Sequence, residues 1–364
     1  VDVGQDAVAA FQLRRYAWTA KLPLSILTDF EQLAVYDCRV KPDKNDKAST
    51  ARILLFHYRE YIDRWDEIAD IFSREAILHG AFDRFAETTK KKRGTAEVDA
   101  AFLEEIESWR DALAKNLSLR NERLSDRELN FAVQRIIDRI IFLRMCEGRG
   151  IEPFGQIQSL LNGVETYRRL VALFHRADEK YNSGLFHFQL EKGREPPDEL
   201  TTELAIDDKV LKDIIVRLYY PESPYEFAAL PADILGQVYE QFLGKVIRLT
   251  AGHRAKVEEK PEVRKAGGVY YTPTYIVDYI VASTVGKLVE GKTPQEVGGM
   301  TATWRTSKTL RPLTVLDPAC GSGSFLIVAY QFLLDWYLKQ YTEADDPEKH
   351  ARGANPRVYQ FRNG

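Results

Sequence analysis

Between residues 125 and 148, apolar side chains fall at three- and four-residue steps: Leu129, Val133, Ile136, Ile137, Ile140 and Leu143. That spacing puts one apolar stripe on a helix and turns it toward a core. The stretch opens on Ser125-Asp126-Arg127-Glu128, a capping box in which Ser125 and Glu128 satisfy each other's orphan amides, and Gly148 and Gly150 stop it. A second helix is predicted from Pro231, with Leu235, Val238, Tyr239, Phe242, Leu243 and Val246 on one face. From about residue 50 to 250 the pattern is helical, interrupted by polar Gly- and Pro-bearing stretches such as residues 192–197. Upstream, residues 11–18 read as a helix that Pro23 ends, and residues 33–36 as a strand. Residues 42–47 form a polar, Pro-started loop that marks a domain boundary. After residue 265 the pattern changes. Ile276, Val277, Ile280, Val281, Val285 and Leu288 recur at helical spacing behind Thr272-Pro273, and residues 313–316 read as a short buried strand. Residues 317–325 then run directly into a helix carrying Leu326, Ala329, Leu333 and Trp336. Strand, Gly-rich turn and helix in that order open an α/β nucleotide-type fold.

Composition narrows the class without naming it. The 364 residues suffice for two or three domains, and 45% hydrophobic with 29% charged residues describes a globular chain, neither disordered nor membrane-spanning. Apolar runs are short and broken by charge, well below the roughly 20 residues of a membrane helix, and residues 1–6 lack the features of a signal peptide. The first residue is Val, not Met, so a piece of a longer protein is expected. Cys38, Cys146 and Cys320 are isolated, with no CxxC pair and no histidine at ligand spacing, which fits the cytoplasm and points to neither disulfide nor zinc. A net charge of −3 neither supports nor excludes DNA, since local positive surface decides that matter.

Candidate chemistry concentrates in Asp317-Pro318-Ala319-Cys320-Gly321-Ser322-Gly323-Ser324-Phe325. Gly321 and Gly323 let backbone approach a cofactor closely. The pattern is not the GxGxxG of dinucleotide binders and lacks the lysine of a phosphate-binding loop. An acidic residue at the strand tip suits the ammonium group of S-adenosylmethionine better than a pyrophosphate; the bland alternative is a tight turn with Asp317 as a helix cap. Thr272 at an N-cap with Pro273 at the first helical position is a strong helix start, whose amides and dipole suit a carboxylate. Alone, that segment is only a good helix start.

Tyr270-Tyr271-Thr272-Pro273 followed by the 317–325 nonapeptide resembles the DNA amino-methyltransferases that modify adenine N6, in the permuted order that places this helix before the cofactor turn. Residues 235–244 and 260–268 are similar to single-chain type IIG restriction–modification enzymes, in which nuclease, helical connector, methyltransferase and target-recognition domain follow one another. The resemblance implies three parts. Residues 1–47 would be the C-terminal, α/β tail of a nuclease domain, 48–255 a mainly α-helical connector, and 256–364 the start of an α/β Rossmann-like methyltransferase. It also implies that Tyr271, Thr272, Pro273, Asp317, Pro318, Ala319, Cys320, Gly321 and Gly323 line a pocket for S-adenosylmethionine, with double-stranded DNA as partner.

What the family needs beyond this is absent. The Asn-Pro-Pro-Tyr that holds a flipped adenine does not occur, and Asn355-Pro356-Arg357-Val358-Tyr359 lacks the second proline. Asp335 falls inside the helix after the turn and is expected at the surface, not on the ribose. In the N-terminal part, Gln12 and Tyr16 share one helix face, the spacing of a Gln-x-x-x-Tyr pair that follows the catalytic lysine of some Mg2+-dependent nucleases. No Asp…Glu-x-Lys cluster accompanies it, and Asp37 and Lys41 are read as structural. No catalytic or metal-ligating residue is therefore assigned, and residues 1–364 alone are expected to be inactive. Lys90-Lys91-Lys92-Arg93 reads as a solvated loop, whereas the excess of basic residues between Lys245 and Lys265 is consistent with a DNA-facing connector. A stand-alone adenine methyltransferase and a non-catalytic DNA-binding subunit are the competing readings. Oligomeric state and target sequence are left open.

Overall fold

The computed structural model describes residues 2–88, 98–181, 183–191, 196–230, 234, 236, 244–260, 272–298, 312–321 and 323–343. The chain divides into two units, residues 1–234 with 241–267, and residues 235–240 with 268–364.

The first unit starts with α1 (Ala7–Thr19), whose N-cap Asp6 accepts from the Ala9 amide. Three antiparallel strands follow in the order β1 (Leu24–Thr28), β2 (Gln32–Asp37) and β3 (Arg52–His57). Leu24 pairs with Asp37, Leu33 with Phe56, and the β2–β3 register slips between Val35 and Tyr36. Ala10 and Ala17 of α1 pack with Ala34, Tyr36 and Cys38 in one apolar cluster. The helix and the strand at 33–36 stand where the pattern predicts them. β3, however, lies in the stretch that reads as helical from about residue 50, because its identity comes from pairing with β2 and not from its own sequence.

Short helices α2 (Trp65–Phe72), α3 (Arg74–Leu78) and α4 (Ala81–Thr88) lead to the helical part. There α5 (Val98–Arg120) and α6 (Asp126–Gly148) pack with α7 (Thr166–Tyr181) and α8 (Asp208–Val216). The predicted stripe of α6 is buried along its length, and its capping box forms: the Ser125 amide donates to Glu128 Oε2 (2.9 Å) and the Glu128 amide to Ser125 Oγ (3.3 Å). Residues 227–228 pass close to the end of α6, where a Cβ at Gly148 would stand 2.9 Å from the Ala228 nitrogen, and Gly150 at φ +69° carries the chain out of the helix. Burial also takes in charge. Arg139 is held by Asp198 (2.7 Å), Thr201 Oγ1 (2.7 Å) and the Leu185 carbonyl (2.8 Å).

The unit closes with a hairpin, β4 (Lys245–Leu249) and β5 (Ala255–Glu259). Val246 therefore sits in a strand and not on the helix predicted from Pro231. The other apolar positions of that helix, Leu235, Val238, Tyr239, Phe242 and Leu243, lie outside the described residues.

The second unit contains α9 (Thr274–Val289), the short α10 (Pro294–Val297) and α11 (Ser324–Thr342). Val277, Val281 and Val285 of α9 pack against Ala329, with Phe325, Val328, Phe332, Leu333 and Leu313 around them. The predicted strand at 313–316 does not form. No other strand lies among the described residues of this unit, so the segment has no ladder to join, and Leu316 is 85% exposed. The α/β Rossmann-like sheet is thus not seen among the described residues. No described helix is long and apolar enough to cross a membrane.

Candidate cofactor site

The Gly-rich turn begins where residues 312–316 leave the α9–α11 core. Leu313 anchors its approach: its side chain enters the core cluster and its amide donates to the Val297 carbonyl at the end of α10 (2.9 Å). α10 is fixed by its own capping box, Thr293 with Glu296, a Thr-x-x-Glu signal that is legible in the sequence.

Asp317 is half-buried at the head of the turn. Its Oδ1 accepts from the Ala319 amide (3.0 Å), which folds the chain back on itself and leaves Oδ2 without a hydrogen bond among the described residues. Pro318, Ala319 and Cys320 are exposed, and the Cys320 thiol is free. The Gly323 amide then donates to the Cys320 carbonyl (2.7 Å), closing a turn that both glycines make possible: Gly321 has φ +54° and Gly323 φ +80°, in the left-handed region that costs other residues most. Gly323 is the N-cap of α11, and no side chain caps that helix. First-turn amides of α11 are therefore open to an acceptor, and the helix dipole reinforces the attraction.

At α9 the cap lies one position later than the sequence reading. Pro273 is the N-cap and Thr274 the first helical residue, the Ile276 amide donating to the Pro273 carbonyl (2.9 Å). Pro273 itself offers no side-chain acceptor to the first turn. Val277 near the start of α9 and Phe325 at the start of α11 share one core cluster, so both helix starts are anchored in the same packing. Gly286 allows that approach, since a Cβ there would lie 3.2 Å from the Phe332 ring. No hydrogen bond joins Thr272 or Pro273 to the turn among the described residues. Tyr271 and Ser322 lie outside those residues, as do residues 355–359. Asp335 is at the surface of α11, bonded to Gln331 (2.8 Å), as expected.

At the N-terminus, Gln12 and Tyr16 are both exposed on one face of α1. Asp37 is fully buried and held by Arg39 Nε (2.8 Å) and Nη2 (3.0 Å), while Lys41 is exposed and lies over the Tyr225 ring (6.0 Å). Among the described residues no group of three His, Cys, Asp or Glu side chains is placed to hold a metal ion. The sequence reading missed the grip on the inner face of α1, where Arg15 donates to the Tyr225 carbonyl (2.7 Å) and Thr19 Oγ1 accepts from the Glu226 amide (3.0 Å).

Comparison with known proteins agrees with the resemblance drawn from the motifs. Residues 231–349 match the model of the N-6 DNA Methylase family. Over 346 residues, 95% of its length, the chain is 36% identical to the type II restriction enzyme and methyltransferase RM.Eco57I of Escherichia coli, of which it covers 32%. It is 27% identical over 172 residues to the adenine-specific methyltransferase BrxX of Escherichia coli O9:H4, covering 42% of this chain and 13% of that one. It is 25% identical over 331 residues to RM.MjaORFECS2P of Methanocaldococcus jannaschii, covering 74% and 26%. The chain thus spans about a third or less of the length of these relatives. No solved structure matches it.

Proposed function

We propose that this relative of the type II restriction enzyme–methyltransferases is part of a cytoplasmic, bifunctional enzyme that methylates adenine N6 in double-stranded DNA with S-adenosylmethionine and cleaves unmodified DNA. The observation that carries the reading is the 317–325 turn. It lies in the segment matched by the N-6 DNA methylase family, and it presents two left-handed glycines, a carboxylate with a free oxygen and an uncapped helix start together.

The residues fit the cofactor. Asp317 Oδ2 is free to accept from the ammonium group. The start of α9 at Thr272 and Pro273 suits the carboxylate through its helix dipole. Pro318, Ala319, Cys320, Gly321 and Gly323 keep the wall low enough for backbone contact, and the resemblance adds Tyr271, which lies outside the described residues. When bound, S-adenosylmethionine supplies an electrophilic methyl group. Cys320 has no part as a nucleophile: an exocyclic amine whose lone pair is freed would attack the methyl carbon directly while the carbon–sulfur bond breaks to leave a neutral thioether, and the amine would then give up a proton. Residues 1–47 with Gln12 and Tyr16 would belong to the Mg2+-dependent nuclease, 48–255 to the connector and 256–364 to the methyltransferase. Residues 1–364 by themselves would not catalyse transfer, since they hold no Asn-Pro-Pro-Tyr for the flipped base.

The test is methyl transfer by the gene product that carries this chain. With tritiated S-adenosylmethionine and unmethylated duplex, hydrolysed product should contain N6-methyladenine, and replacing both Gly321 and Gly323 with Val should abolish it. Label in cytosine, or label undiminished by the double substitution, would overturn the assignment.

A further inference from the structure

Hairpin β4–β5 carries a charge arrangement that its own stability does not explain. The register sets Arg248 directly opposite Lys256, so both side chains leave the same face. Like charges directly opposed across two strands are destabilising. Both are exposed, at 58% and 68%, and among the described residues only Glu258 pairs with them, 2.8 Å from Lys256 and 4.0 Å from Arg248. Arg254 at the mouth of the turn is exposed and makes no ion pair among the described residues. Arg248 and Lys256 therefore share one acid on this face, with Arg254 exposed beside them at the turn. Glu259 and Lys245 belong to the opposite face, where Ile247 is fully buried.

The mounting is rigid. Asp126 and Asn130, one turn apart on α6, take the place of a neighbouring strand along β4. The Leu249 amide donates to Asp126 Oδ1 (2.9 Å), the Ile247 amide to Asn130 Oδ1 (2.8 Å), and Asn130 Nδ2 donates back to the Ile247 carbonyl (2.7 Å). On the β5 side the Ala255 amide donates to Ser118 Oγ of α5 (3.2 Å). Both helices thus fix the outward face and its cations in one orientation. A local conflict held in place by a dedicated scaffold marks a functional surface.

We propose that the outer face of this hairpin, through Arg248, Arg254 and Lys256, contacts the phosphate backbone of duplex DNA, with Glu258 moderating the contact. The partner's identity rests on the DNA-enzyme reading above; the surface itself rests on register and charge. Backbone contact of this kind positions a duplex without reading its sequence.

The experiment measures binding of the 364-residue chain to a fluorescent duplex of arbitrary sequence by anisotropy, as a function of salt. Each phosphate neutralised contributes about 0.9 to the slope of log affinity against log salt. The triple variant Arg248→Ala, Arg254→Ala, Lys256→Ala should lose about 2.7 of that slope and at least about tenfold in affinity at ~50 mM salt. Its thermal midpoint should be unchanged or raised, because the opposed charges are gone. Glu258→Gln should bind more tightly than the parent, an effect that a purely structural role would not produce, and it serves as the test should the triple variant fail to fold. The proposal is overturned if the triple variant keeps the parent's slope, if Glu258→Gln does not gain affinity, or if the parent chain does not bind duplex at ~50 mM salt. Displacement of duplex by polyglutamate of equal charge as readily as by unlabelled DNA would assign the face to an acidic protein instead. Failure of methyl transfer with hairpin-dependent DNA binding intact would sink the methyltransferase reading and leave this surface standing.

Discussion

Placing a methyl group on Gly323 separates the cost of backbone conformation from the cost of crowding. Gly323 sits at φ +80° and ψ 16°, and a Cβ built there meets nothing within 4 Å. Gly323→Ala therefore creates no clash, and its whole effect is that of holding an L-residue in the left-handed region, about 1–2 kcal/mol. That energy must be recovered for the Cys320–Gly323 hydrogen bond to close the turn, so cofactor affinity should fall roughly 5- to 30-fold, at 1.4 kcal/mol per tenfold. Asn, which tolerates this conformation better, should lose less, and the β-branched Val should lose more. The assay is isothermal titration of S-adenosylmethionine into the gene product that carries the chain, beside a thermal melt to show that the fold persists. Binding of the Gly323→Val protein within about twofold of the parent would mean that the cofactor does not select this turn geometry.

Three further outcomes follow from the same structure. Cys320→Ala should retain methyl transfer, because the exposed thiol has no nucleophilic part; loss of transfer with normal cofactor affinity would point to covalent chemistry. Asp198→Ala strands the buried Arg139 guanidinium and should cost about 3–5 kcal/mol in urea unfolding, most of it recovered when Arg139→Met is added; a loss below about 1 kcal/mol would show the pair to be solvated. Burial pushes the Asp138 carboxyl up to about 6, against the pull of Arg135 and Arg139. The folded state therefore holds this proton more tightly than the unfolded one, and the associated stability is full near pH 4 and lost as pH rises through about 6. Asp138→Asn should match the parent's melting point at pH 4 and exceed it above pH 6; equal melting points across the range would contradict the assignment.

The elements legible in the sequence are those specified locally. The α6 stripe and its Ser125–Glu128 box need only neighbours within one helix turn, so spacing alone revealed them. β1, β3 and the β4–β5 hairpin were not seen, because each takes its identity from a partner elsewhere in the chain. Arg52–His57 has no alternation clear enough to stand apart from the helical residues around it until Leu33 and Phe56 are set opposite one another. The reverse error occurred at residues 313–316, whose apolar run announces a strand although no ladder is present among the described residues.

The candidate site divides along the same line. Gly321 and Gly323 are legible because only glycine takes those dihedrals freely, and a two-residue interval ahead of a helix is a local pattern. The positions of the helix starts are not local, since they follow from Val277, Phe325 and Ala329 meeting in one core and from Gly286 yielding to Phe332. The hairpin makes the sharper case. An excess of basic residues after Lys245 is visible in the sequence, but composition cannot say which of them oppose one another. Register can: it pairs Arg248 with Lys256 and sends Lys245 to the other face, beside Glu259. What distinguishes a solvated charge run from a surface built to meet an anion is therefore the pairing of strands and the Asp126–Asn130 clamp behind them, neither of which any window along the chain contains.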